Sequence, residues 1–124
     1  MTDTILKISP NRGRGVFTTR KFDKDETVLI NYTIFLSKED VGVICKTSLW
    51  NYYYEFPDGS ARIVLGHGTI INHSLNPNVK KVWHFEQDYG DVVNFVALRT
   101  IEEGEELFHD YCFDSGTEPD WIGN

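Results

Sequence analysis

Only two cysteines, Cys45 and Cys112, occur in the 124 residues, and neither stands in a Cys-x-x-Cys pair or beside clustered histidines. This argues against a disulfide framework and a structural zinc site, and suits free thiols in a reducing compartment. Apolar residues come in short stretches such as Ile70-Ile71 and Val92-Val93, and Met1 is soon followed by Asp3 and Lys7. No stretch is long enough for a transmembrane helix or a secretory signal, so an intracellular protein without membrane contact is expected. A sustained 3.6-residue apolar period is also missing, which excludes a helical bundle. Repeats, low-complexity tracts and linkers are absent. Basic residues are missing from one region in particular: Glu102 to Asn124 holds eight carboxylates and no Lys or Arg.

What remains is the composition of a packed β-rich globule. Apolar residues make up 40% of the chain and aromatics 14%, too many for disorder. The length suits one compact domain over residues 1–124, large enough to form a core. Short β-prone runs at Ile5–Ile8, Val16–Thr19, Thr27–Leu36 and Ala61–Leu65 are separated by turn formers. Val79–Phe85 and Asp91–Leu98 read as a hairpin, and Leu107–Phe113 as a final strand. Ser37 is positioned to cap a brief helix. The net charge of −7 disfavours nucleic acid, whose binding rests on phosphate neutralisation, and favours a cationic partner.

Three loops stand out. The first, Arg12-Gly13-Arg14-Gly15-Val16-Phe17, spaces two glycines so that the backbone can turn and a ligand can approach its main chain. The second runs Leu65-Gly66-His67-Gly68-Thr69-Ile70-Ile71-Asn72-His73-Ser74-Leu75-Asn76-Pro77-Asn78 and gathers polar side chains of fixed hydrogen-bonding geometry. The third, Gly104-Glu105-Glu106-Leu107-Phe108-His109-Asp110-Tyr111, ends on a tyrosine that a crossing loop could meet. Taken singly, each reads equally well as a turn or a core segment. Their order is more specific. Gly-x-Gly-Val-Phe, then Ile-Asn-His-Ser-x-x-Pro-Asn, then Gly-Glu-Glu-Leu-x-x-x-Tyr resembles the motif series of SET domains over about residues 5–113. In size and layout the chain is similar to the minimal viral and bacterial SET proteins.

The resemblance implies a mainly β, β-clip-like fold of several small curled sheets. A C-terminal pseudoknot and one or two short helices would complete it. It further implies a protein lysine N-methyltransferase that uses S-adenosylmethionine, with histone tails among the candidate substrates. The backbone of Arg12, Gly13, Arg14 and Gly15 would hold the methionine part of the cofactor. Asn72 would take its amino or carboxylate end, and the main chain of His73 its adenine. Tyr111 would be the catalytic tyrosine. Tyr53 would be a second one, with Tyr52 and Tyr54 as alternatives in the same run. Tyr53, Ile71, Phe108 and His109 would line the substrate channel.

Leu75 stands where many SET domains have cysteine, and no cysteine-rich zinc segment follows Tyr111. Phe113 and Trp121, with the tail 114–124, would therefore cover the cofactor, and no metal is expected. His109 replaces the Phe or Tyr that the family often carries two positions before the catalytic tyrosine, so the number of methyls added stays open. A catalytically weak SET-like module that only binds basic tails is the alternative, and a homodimer is compatible with so small a domain.

The chemistry suits these roles. Methyl transfer needs a neutral amine, whereas free lysine has a pKa near 10.4. A desolvated aromatic channel beside a sulfonium would lower it. Phenol and carbonyl oxygens would stabilise the charge as it moves from sulfur to nitrogen.

Overall fold

The computed structural model describes residues 3–10 and 12–110. Its elements are β1 (Thr4–Ser9), β2 (Gly13–Thr18), β3 (Thr27–Leu36), α1 (Lys38–Ile44), β4 (Tyr54–Glu55), β5 (Ala61–Leu65), a 3-10 turn (His67–Thr69), β6 (Asn72–His73), β7 (Val79–Glu86), β8 (Gly90–Ala97) and β9 (Phe108–His109). They form three sheets: the β1–β2 hairpin, a five-stranded antiparallel sheet ordered β4-β5-β3-β8-β7, and the parallel pair β6–β9.

Strand β3 organises the large sheet because it is long enough to serve two partners. Its first half, Thr27 to Tyr32, pairs with Val96 to Val92, and its second half, Tyr32 to Leu36, with Leu65 to Ala61. Inward positions of β2, β3, β5, β7 and β8 supply Val16, Leu29, Val64, Val79, Val93 and Phe95 to one core, which Phe22, Ile71, Ile101 and Leu107 complete from connecting segments. A smaller cluster of Leu36, Val41 and Ala61 seats α1 against the sheet. Ser37 caps that helix, and Asp40 closes the capping box.

The β7–β8 hairpin turns at Glu86–Gly90 as expected, with Gly90 at φ 80°. The second loop departs from its expected strand-free character. Asn72 and His73 form β6, because β9 runs beside them in parallel, opposite Phe108 and His109. Such a pairing joins segments about 35 residues apart and leaves no local pattern.

Ties between β2 and the third loop complete the knot-like crossing. The Leu107 N–H donates to the Val16 carbonyl at 2.7 Å, and the Thr18 N–H to that of Glu105 at 3.0 Å. The chain from β6 into β7 then crosses the final segment, with Ser74 N–H donating to His109 and Asn78 N–H to Phe108. The fold is thus mainly β, with small curled sheets and one short α-helix.

Candidate active site

The first and third loops are held together by Asn72. Its Nδ2 donates to the Arg14 carbonyl at 2.8 Å and to Glu106 Oε2 at 2.9 Å. Ser9 Oγ donates to the other oxygen of that carboxylate at 2.8 Å. A Cβ at Gly15 would meet the Glu106 carboxylate and the Ser9 Cβ, so a larger residue there would displace the carboxylate that Asn72 bonds. Gly13 is constrained differently, by its φ of 77°. Both Asn72 amide hydrogens are engaged, and its Oδ1 has no partner among the described residues. An ammonium group suits that oxygen, as the amino end of the expected cofactor would provide.

Asn78 performs the second tie. It is 1% exposed, and its side chain copies a strand partner. Nδ2 donates to the Glu106 carbonyl at 2.8 Å, and Oδ1 accepts from the Phe108 N–H at 2.8 Å. The Glu106 carbonyl and the Phe108 N–H of the third loop are thereby satisfied by a side chain.

Beneath these loops lies a buried polar chain. Asn31 Oδ1 accepts from the Gly68 N–H at 3.0 Å and seats the 3-10 turn. Tyr54 Oη donates to the Gly68 carbonyl at 2.7 Å and lies 3.2 Å from His109 Nε2. On the far side of the ring, His109 Nδ1 is 3.1 Å from Lys81 Nζ, which also donates to the Asp110 carbonyl. Trp83 meets the Tyr54 ring edge-on. Tyr53, the expected second tyrosine, packs instead with the cluster of Leu36, Val41 and Ala61, and burial pushes its phenol pKa up. Beside the first loop an open cleft of about 510 Å³ is lined by Arg14, Leu49, Tyr52, Ile63, Thr69 and Ile70. That lies within the range of small-molecule sites.

Of the expected site residues, Gly13, Arg14, Gly15, Asn72 and His73 come together around the crossing. Phe108 is half-buried, with the Arg12 guanidinium 5.1 Å above its ring. Ile71 and His109 are wholly buried, Ile71 in the main core and His109 behind Tyr54. Tyr111, Phe113 and Trp121 lie outside the described residues. Among the described residues no three His, Cys, Asp or Glu side chains cluster as metal ligands, and no helix is long and apolar enough to cross a membrane.

Sequence reasoning passed over Asn31, Lys81 and Glu106. Lys81 left a signal: it falls between Val79 and Trp83 on the inward face of β7, an unusual place for a lysine.

Burial, and then the Lys81 ammonium, hold the His109 imidazole well below its ordinary pKa of 6.5. A depressed histidine stabilises the fold above the unfolded pKa and loses that contribution as pH falls towards the folded value. Wild-type stability is therefore expected to decline below about pH 6.5, at up to about 1.4 kcal/mol per pH unit for this proton. His109→Asn should flatten that decline in urea titrations between pH 6.5 and 5. An unchanged slope would remove His109 as its source.

Residues 13–112 match the SET domain family. The chain is 27% identical over 107 residues to a histone-lysine N-methyltransferase of Schizosaccharomyces pombe named as specific for H3 lysine-37, covering 86% of this chain and 71% of that one. It is 28% identical over 123 residues to an N-lysine methyltransferase of Danio rerio, covering 86% of this chain but only 34% of the relative. The fold superposes on the crystal structure of a candidate histone methyltransferase of Plasmodium falciparum with a TM-score of 0.76 and 25% identity, covering 90% of this chain and 95% of that one. With the family matched across most of its length and the three loops meeting in space, the chain belongs to the SET-domain family, which it shares with relatives named as histone-lysine methyltransferases.

Proposed function

We propose that the chain transfers a methyl group from S-adenosylmethionine to a lysine side chain on a basic segment of a protein, histone tails being the leading candidates. The observation that carries this reading is the pair of hydrogen bonds that the Asn72 amide donates to the Arg14 carbonyl and the Glu106 carboxylate, which draws all three loops to one point. When bound, the cofactor would supply an electrophilic methyl on a sulfonium. Arg14, Gly15 and the Asn72 oxygen would hold its amino-acid end, and the His73 main chain its adenine. Phe113 and Trp121 would close over the ring.

Tyr111 is the proposed catalytic phenol. For the second tyrosine we favour Tyr54 over Tyr53, because only the Tyr54 hydroxyl reaches the second loop and β9. These groups would orient the amine, exclude water and accept developing positive charge through oxygen lone pairs.

The acidic region is partly engaged internally. Glu105 bonds Arg99, and Glu106 bonds Ser9 and Asn72. Glu102 and Glu103 stay exposed, and they with the tail carboxylates would attract a basic substrate.

Isothermal calorimetry should find one S-adenosylhomocysteine site per chain, and Asn72→Ala should weaken it about tenfold or more while circular dichroism verifies the fold. A folded protein that binds neither S-adenosylhomocysteine nor S-adenosylmethionine would refute the reading. Binding without transfer of radiolabelled methyl to histones or lysate proteins would leave the tail-binding module in its place.

A further inference from the structure

The inward-facing Lys81 calls for a role of its own. An ammonium that is 8% exposed needs strong acceptors, since burying an uncompensated charge is very costly. Among the described residues it meets His109 Nδ1 at 3.1 Å, the Asp110 carbonyl, and the Tyr54 ring with its centroid 5.8 Å away. An ammonium has only hydrogens to offer, so its contact favours a lone pair on His109 Nδ1 over donation from that nitrogen to the Asp110 carbonyl, which is also 3.1 Å away and is already bonded by Lys81. Neutral imidazole carries a single N–H, which is then placed on Nε2. Nε2 is 3.2 Å from Tyr54 Oη. The Tyr54 hydroxyl hydrogen goes to the Gly68 carbonyl at 2.7 Å, which leaves the phenol oxygen to accept from His109 beside the ring's backbone contact with Ile71. Asn31 in turn fixes Gly68 by holding its N–H.

We propose that Lys81 and His109 are positioning residues that lock the hydroxyl direction of Tyr54, so that toward a ligand this phenol can only accept a hydrogen bond. The proposal rests on the lysine methyltransferase reading for its consequence. A phenol free to rotate can donate to an amine nitrogen and block the lone pair that must attack. A locked acceptor takes an amine N–H instead and leaves that lone pair available. The pair would act through Tyr54 and touch neither cofactor nor substrate.

The lock has a spectroscopic signature independent of any reaction. In the full chain labelled with ¹⁵N-histidine, the resonance that disappears in His109→Asn identifies the His109 ring among the four histidines. The wild-type ring is expected in the Nε2–H form, with Nδ1 bearing the shift of an unprotonated nitrogen bonded to a donor. In Lys81→Met, which keeps the length of the side chain, the Nδ1 signal should move as that donor is lost, and the two tautomers should mix, because Nδ1 also lies 3.1 Å from the Asp110 carbonyl. A wild-type ring in the Nδ1–H form would overturn the proposal, and that measurement needs no variant to fold.

Kinetics then test the consequence. Lys81→Met should lower kcat about tenfold or more while cofactor affinity stays within about twofold of wild type. A kcat within twofold of wild type, with the tautomer shifted, would overturn the positioning role while leaving the methyltransferase reading intact. Absence of methyl transfer in the wild type would overturn the methyltransferase reading instead, and with it that catalytic consequence; the tautomer result would stand.

Discussion

Asn78→Leu is expected to unfold at a temperature at least about 10 °C below wild type. Leucine keeps the branched four-atom skeleton of asparagine but replaces the amide with two bulkier methyl groups, so overpacking adds to the loss of the hydrogen bonds. Loss of the amide strands the Glu106 carbonyl and the Phe108 N–H, both of which Asn78 satisfies at 2.8 Å in a wholly buried setting. Each buried group left without a partner costs about 1–3 kcal/mol. The pair would remove about 2–6 kcal/mol from a domain whose whole stability is about 5–15 kcal/mol. The damage falls on the segment that β6, β7 and β9 share, so affinity for S-adenosylhomocysteine should drop with stability. Scanning calorimetry with and without that ligand checks both. A midpoint within about 2 °C of wild type would mean that the third loop does not depend on this side chain.

The largest effect on catalysis is expected at Tyr111, the next at Tyr54, and little at Tyr53. Tyr111→Phe should lower kcat and kcat/KM together by about 10²–10³-fold, the scale seen when one preorganised group is removed from a developing charge. Tyr54→Phe removes the oxygen that meets Gly68 and His109, so it should lower kcat by about tenfold or more. Its cost in stability should be about 1 kcal/mol, the net worth of a typical hydrogen bond. Tyr53→Phe alters a phenol beside the cluster of Leu36, Val41 and Ala61, and activity should stay within about twofold. A mass-resolved methylation time course on the three variants, with cofactor binding measured on the same preparations, supplies the order. A Tyr53 variant slower than the Tyr54 variant would return the second active-site role to Tyr53.

These two tyrosines show where local pattern stops being informative. The run Trp50-Asn51-Tyr52-Tyr53-Tyr54 carries no period that separates one phenol from the next. Their different surroundings are set by β4, only two residues long, whose pairing with β5 puts Tyr54 opposite Arg62 and leaves Tyr53 at the α1 cluster. A shift of one residue in a strand reverses which face a side chain takes. That register depends on β5 and β3, neither of which is contiguous with the tyrosines.

The hairpin β7–β8, the long strand β3 and the Ser37 cap were legible because each follows from near neighbours: alternation, turn formers and a capping side chain. The ordered loops were legible as well, since backbone freedom at Gly13 and Gly15 and the cluster around Asn72 and His73 are written in residue type. The sequence by itself therefore determined the fold class, the family likeness and the residues around which a cofactor site could assemble. Only the tertiary structure decided how those residues are engaged. It pairs Asn72 with Phe108 in a parallel ladder, turns the Asn72 amide onto Arg14 and Glu106, and commits Asn78 to the third loop. It also places Lys81, His109, Tyr54 and Gly68 in one buried line drawn from β7, β9, β4 and the 3-10 turn. These contacts join positions 14 to 58 residues apart, and they follow from closing the sheets over a common core rather than from any short-range preference.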